Sequence, residues 1–378
     1  MELRDGSPAQ VGLDPGPIRD AERFLDGCTR AGTGHPRFPG AVGLLAREGV
    51  IVAQYATGQA LRYADARGTE LPPDQQAPMR LDTVFDMASV TKLFTSIAVM
   101  QLVERAEVDL DAPVAGYLPG FGKPRVTVRH LLTHTSGLAP DPKPPLWQGY
   151  PDIPSRRAAV LASRPIAEPG TYLYSDINLM VLGFLAEQVT GMALDVVVRE
   201  GITHPLSLSG TGFNPPSPDR VAATEYQTDP PRGLVHGQVH DENAWALGGV
   251  SGHAGLFSTA RDLAVLAQAI LDGGCHGDAR ILRPQTVREM LSNRDDHGLG
   301  FELNRESYMG ALCSPVTAGH TGFTGTSLVL DPRSRSIAIL LTNRVHPTRH
   351  WGPINVARET WATALARAME PRPPRDAR

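Results

Sequence analysis

Apolar residues recur at helical spacing in residues 17–32, where Ile18, Ala21, Phe24 and Leu25 fall on one side and predict an amphipathic helix. Two short apolar runs follow, Ala41 to Leu45 and Val50 to Ala56, around the polar Arg47-Glu48-Gly49. A glycine-bearing turn between two such runs predicts a hairpin. Residues 63–80 are polar and proline-containing and read as a loop. From Met87 to Glu104 the helical period returns, with Leu93, Ile97, Met100 and Val103 on one face.

Residues 105–260 predict a helix-rich stretch cut by proline and glycine, with long loops at 139–155 and 205–240. Arg261 to Asp272 predicts another amphipathic helix. Strands return at Thr326 to Leu330 and Ser336 to Thr342, flanking the turn Asp331-Pro332-Arg333-Ser334. A helix near 353–369 follows, and the tail after Pro371 is expected to fray. Strands at both ends with helices between them imply one sheet built from both ends of the chain and a helical insertion.

Composition narrows the class. Of the 378 residues, 41% are hydrophobic and 20% charged, which fits a globular protein and not a disordered one. A net charge of −4 without a basic block argues against nucleic acid as a partner. Cys28, Cys275 and Cys313 are far apart and odd in number, which predicts reduced structural thiols and neither a disulfide framework nor a paired-cysteine metal motif. The start Met1-Glu2-Leu3-Arg4-Asp5-Gly6 has no apolar run behind a basic segment, and no stretch reaches the roughly 18 apolar residues of a membrane span. The expectation is a cytoplasmic enzyme with no membrane association, no evident protein partner and no cofactor.

Candidate chemistry begins at Ala88-Ser89-Val90-Thr91-Lys92. On a helix, positions three apart share a face, so Ser89 and Lys92 point the same way. A serine hydroxyl is a poor nucleophile until a base takes its proton, and a lysine amine can do so where arginine cannot. Only three of the 36 basic residues are lysines, so one inside an apolar helix asks for a reason. The plainer alternative is a chance pairing on a solvent-facing helix. Pro169-Gly170-Thr171-Tyr172-Leu173-Tyr174-Ser175-Asp176 precedes a helical run from Leu179 to Val189. There Tyr174 is either a packing residue or, beside a serine and a lysine, a proton carrier for a leaving group. Gly319-His320-Thr321-Gly322-Phe323-Thr324-Gly325-Thr326 enters a strand. It is equally a plain glycine-rich turn and an edge whose free N–H groups face a developing oxyanion.

These segments, in this order, resemble the serine β-lactamase and penicillin-binding protein superfamily, closest to class C β-lactamases, family VIII esterases and D-alanyl-D-alanine carboxypeptidases of that type. The resemblance spans roughly residues 35–345. It includes Arg129-His130-Leu131-Leu132-Thr133-His134-Thr135-Ser136-Gly137-Leu138 and Gly248-Gly249-Val250-Ser251-Gly252-His253-Ala254-Gly255-Leu256-Phe257-Ser258. It implies an α+β fold: a mainly antiparallel sheet flanked by terminal helices (1–85 and 262–378), a helix-rich domain (86–261), and the site in the cleft between them. It also implies Ser89 as nucleophile, Lys92 as general base, Tyr174 as partner, an oxyanion hole from the N–H groups of Ser89 and Phe323, and substrate contacts from Asp176, His320, Thr321 and Gly322.

Two positions depart from the family. Its Tyr-x-Asn is Tyr174-Ser175-Asp176 here, a carboxylate in place of an amide. Its Lys-Thr-Gly is His320-Thr321-Gly322, where a permanent cation is replaced by a group that ordinarily titrates at about 6.5. Both reduce positive charge and favour neutral esters over β-lactams. A metal reading of His236, His240, Asp241, Glu242 and His253, or of His130 and His134, lacks a zinc motif, and the expectation is no metal. His240 to Asn243 are expected on the cleft rim, and His130 to Thr135 at a helix end with its cap. An α/β-hydrolase is disfavoured because no Gly-x-Ser-x-Gly elbow occurs. The leading expectation is a serine hydrolase acting on a carboxylic ester. A D-alanyl-D-alanine carboxypeptidase or weak β-lactamase, and a non-catalytic binding module of the same fold, stand as alternatives.

Overall fold

The computed structural model describes residues 2–30, 32, 34–292 and 296–369. The tail after Pro371, expected to fray, lies outside the described residues.

Eight strands make the main sheet. They are β1 (Arg4–Asp5), β2 (Gly40–Arg47), β3 (Val50–Leu61), β4 (Ala77–Pro78), β5 (Glu302–Leu303), β6 (Ala318–Thr321), β7 (Thr326–Asp331) and β8 (Ser336–Thr342). The order is β1-β3-β2-β8-β7-β6-β5, with β4 on β3. Every pairing is antiparallel except β1 with β3. Ala41 pairs with Thr342 and Arg47 with Ser336, so the sheet is sewn from both ends of the chain, as its pattern predicted. The β2–β3 hairpin turns on Glu48 and Gly49, both with positive φ, the two-residue geometry that matches strand twist. β3 runs five residues past its predicted end, because Thr57, Gly58 and Gln59 break the apolar run without breaking the ladder.

Helices α1 (Pro15–Thr29), α2 (Thr91–Glu104), α3 (Val128–Leu132), α4 (Asp176–Thr190), α5 (Glu242–Ala246), α6 (Ala260–Leu271) and α7 (Asn355–Ala368) place the site. α1 and α7 pack together on one face of the sheet, over a core that includes Leu25, Leu45, Val329, Leu340 and Trp361. Gly43 lies under Trp361, where an added Cβ would come 2.4 Å from the indole. The opposite face packs on α6, joining Val42, Leu44 and Ile339 to the larger core that holds α2 and α4.

α2 corrects the expectation of a one-sided helix. Every residue from Thr91 to Met100 is buried, because α4 and the 252–253 segment close over its polar side. The loops at 139–155 and 205–240 hold short pieces of structure, including the helix Ile153–Ala162 and the strand pair Tyr226–Gln227 with Gly233–Leu234. Among the described residues no single helix is long and apolar enough to cross a membrane.

Candidate active site

Ser89 sits in a 3-10 turn, Ala88–Val90, that runs into α2, so it stands just before the α-helix and not inside it. One turn later the wholly buried Lys92 points back. Its Nζ donates to the Ser89 Oγ at 2.8 Å and to the His253 carbonyl at 3.2 Å. The same Nζ forms an ion pair with Asp176 Oδ1 at 2.8 Å, at the first residue of α4. Burial works to lower the lysine pKa, but the Asp176 carboxylate and the Tyr174 oxygen outweigh it and hold the amine above its ordinary value.

Tyr174 enters from the segment ahead of α4. Its hydroxyl faces Lys92 and Ser89, whose proximity acts on its titration, and its ring centroid is 5.0 Å from Nζ. Loss of surrounding water pushes the phenol up to about 12, with Lys92 opposing. His134 stacks on the Tyr174 ring at 4.6 Å. It lies beyond the end of α3, with a φ of 54°, and its Nδ1 accepts the Ser175 N–H at 3.1 Å. Burial drives its pKa well below the usual range, so the ring is neutral. The expected helix end and cap at 130–135 therefore holds a second feature, a ring that fixes the tyrosine.

The far wall is the end of β6. His320 is 2% exposed, with Nδ1 2.8 Å from the Thr321 carbonyl. Burial, then the nearby Lys92 charge, lowers it to about 3, so it is neutral. At Gly322 an added Cβ would come 2.1 Å from Thr326 Oγ1 and 2.4 Å from the Met87 carbonyl, so only glycine lets this strand approach the turn that carries Ser89. Among the described residues the backbone N–H groups of Ser89 and Phe323 meet no acceptor. Phe323 is 48% exposed, its ring stacks on His240 at 5.6 Å, and its carbonyl accepts Arg344 Nε at 2.9 Å.

Ser89, Tyr174, His320, Thr321, Gly322 and Phe323 line one cavity of about 630 Å³, with Lys92 and Asp176 behind Ser89. The structure thus brings all eight sequence candidates together. It also adds groups the sequence did not single out. Arg305, Arg344, Arg358 and Glu302 line the same cavity. The buried Arg358 donates from Nη2 to the Gly322 and Thr326 carbonyls at 2.6 and 2.9 Å, while burial lowers it to about 10. His240 is buried, not on the rim, and its Nε2 is 2.9 Å from Glu225 Oε2.

Behind Lys92, Asp176, Asp241 and His253 bring donor atoms within 4.8 Å of one another. That spacing suits a cation, yet one carboxylate is already paired with the lysine, and His253 Nε2 lies 2.9 Å from Asp241 Oδ1. A closed protein cage of four ligands is not assembled among the described residues.

Comparison with known proteins gives a family and a fold. A family model described as Beta-lactamase matches residues 25–358. A protein of Escherichia coli (strain K12) named "Putative D-alanyl-D-alanine carboxypeptidase" is 34% identical over 382 residues, covering 91% of this chain and 86% of its own length. The solved structure "EstCE1, a hydrolase with promiscuous acyltransferase activity" superposes with a TM-score of 0.71 at 24% identity, over 92% of this chain and 97% of that one, a likeness of fold. A family VIII carboxylesterase superposes with a TM-score of 0.68 at 25% identity, over 93% and 96%.

Proposed function

This chain belongs to the beta-lactamase family, and from that premise we propose that it hydrolyses a carboxylic ester or related acyl compound through an acyl-enzyme on Ser89. One observation carries the reading: the buried Lys92 Nζ stands 2.8 Å from the Ser89 Oγ. In its neutral form the amine takes the hydroxyl proton as the oxygen attacks the acyl carbon. The N–H groups of Ser89 and Phe323 receive the charge that develops on the carbonyl oxygen. Tyr174, close to both residues, passes the proton to the leaving group. Water then attacks the acyl-enzyme, with the same pair as base. Asp176 holds Lys92, while His320, Thr321 and Gly322 offer a neutral strand edge along which the acyl group lies.

A specific observation favours a second reading, a peptide or amide ending in a D-amino-acid carboxylate. Position 320 supplies no cation, but Arg305, Arg344 and Arg358 bring guanidinium groups into the cavity wall. A planar guanidinium suits a carboxylate. The name of the 34% identical relative points the same way.

The experiment compares wild type with Ser89→Ala on p-nitrophenyl butyrate and on a D-alanyl-D-alanine peptide, and maps a fluorophosphonate adduct by mass. We expect the adduct on Ser89 and no turnover by the variant. A folded Ser89→Ala protein that keeps most of its activity overturns the mechanism. A higher kcat/KM for the peptide than for the ester selects the second reading.

A further inference from the structure

Asp86 has no part in the steps above, yet its hydrogen bonds converge on the oxyanion hole. It is 2% exposed, and both carboxylate oxygens accept backbone N–H groups: Oδ1 from Ala88 at 2.8 Å, Oδ2 from His240 at 2.6 Å. Its own carbonyl accepts the Thr324 hydroxyl at 2.7 Å, and the next carbonyl, of Met87, accepts the Thr326 hydroxyl at 3.0 Å.

The three bonds of Asp86 itself lead to the two proposed oxyanion donors. Ala88 immediately precedes the Ser89 N–H and has a φ of 45°, a left-handed conformation that disfavours an L-residue by about 1–2 kcal/mol. Such a turn relaxes unless its neighbours over-determine it. The Asp86 carboxylate, gripping the Ala88 N–H, is that constraint. On the other wall, Thr324 immediately follows Phe323, and His240 stacks its ring on the Phe323 ring. The carboxylate holds the first wall and, through His240, the ring of the second. The carbonyl of the same residue holds the second wall's backbone.

We propose that Asp86 is the positioning residue of the oxyanion hole, setting the separation of the Ser89 and Phe323 N–H groups. The proposal rests on Ser89 being the nucleophile. Asp86 touches no reacting atom. Its effect belongs to the tetrahedral transition state, where the oxyanion sits between those two donors, and not to the bound substrate.

The test uses Asp86→Asn, which keeps the shape but turns an amide donor towards one of the two N–H groups. We expect kcat on p-nitrophenyl butyrate to fall about a hundredfold, in line with loss of one oxyanion donor, with KM within a few-fold of wild type. Affinity for phenylboronic acid, which binds serine as a tetrahedral anion, should fall in parallel, while competition by butyrate stays unchanged. A merely structural residue would lower thermal stability and leave the boronate-to-butyrate ratio alone. A folded variant with kcat and boronate affinity within twofold of wild type overturns the proposal. If Asp86→Asn does not fold, Thr324→Val removes only the second tether. A several-fold parallel loss of kcat and boronate affinity supports the proposal, and an unchanged pair overturns it. Wild type without ester turnover or boronate binding would instead overturn the Ser89 reading, and this one with it.

Discussion

At Lys92 two opposed effects meet. Burial favours the neutral amine that a base must be, while Asp176, 2.8 Å away, favours the ammonium, and the net result is a raised pKa. The neutral form is then scarce at pH 7, so kcat/KM should climb across the whole alkaline range without reaching a plateau. Asp176→Asn removes the anion and keeps the shape. The acid limb, which belongs to the coupled Lys92–Tyr174 pair, should move down by roughly one pH unit or more and bring a plateau into view. Profiles of kcat/KM from pH 6 to 10.5 for both proteins check this, and an unmoved or raised limb would uncouple Asp176 from the base. Ser89, Lys92 and Tyr174 were legible because their signal lies in short spacings and in the scarcity of lysine. The cavity arginines were not, since all but three of the 36 basic residues are arginine and no single one stands out. His134 lies in a family-like motif, but its contact with Tyr174 joins segments 40 residues apart and has no local pattern.

Among elements, α2 and α4 meet the 252–253 segment as a three-way junction. The Gly252 carbonyl accepts Thr95 Oγ1 at 2.8 Å, and the next carbonyl, of His253, accepts Lys92 Nζ at 3.2 Å. A Cβ on Gly252 would lie 2.0 Å from the Leu179 carbonyl oxygen and 3.1 Å from the Gly183 nitrogen, both on the α4 backbone, which cannot swing aside as a side chain would. Gly252→Ala should therefore push α4 from α2, lowering stability by about 1–3 kcal/mol and displacing Asp176 from Lys92. Urea unfolding followed by circular dichroism, alongside ester turnover, measures both. A variant as stable and as active as wild type would show that the junction yields freely. The hairpin at Glu48-Gly49 was legible because turn chemistry is local. The burial of α2 on every side was not, because the groups that cover its polar face come from 80 to 160 residues away.

For the whole molecule, burial of neutral histidines sets the response to acid. His297 is lowered to about 4, and His320 and His346 to about 3, each chiefly by burial. His346 Nε2 accepts the Arg62 and Tyr63 N–H groups at 3.0 and 3.1 Å, so a proton there would face two donors. The unfolded chain takes up these protons near its ordinary value of about 6.5, well before the folded one. Between that pH and about 3–4 it binds more protons than the native state, so stability is full above about 6.5 and falls as pH drops. Glu225, held down to about 2 by His240 and Arg349 against its burial, acts in the same direction at lower pH. The raised carboxyls of Asp86, Asp141 and Asp262 oppose in part. The urea midpoint should decline from pH 7 to 4.5, and His346→Gln should flatten the decline. A midpoint that holds or rises would refute it. The sheet's construction from both chain ends was legible in the placement of its strands, and the same construction sets an order of events during synthesis. Ser89 and Lys92 leave the ribosome more than two hundred residues before Phe323, and β2 has no β8 to pair with until Ser336–Thr342 is made. The nascent chain therefore carries Ser89 and Lys92 for most of translation without the wall that holds Phe323, and under the proposed mechanism catalytic competence arrives only with the later strands.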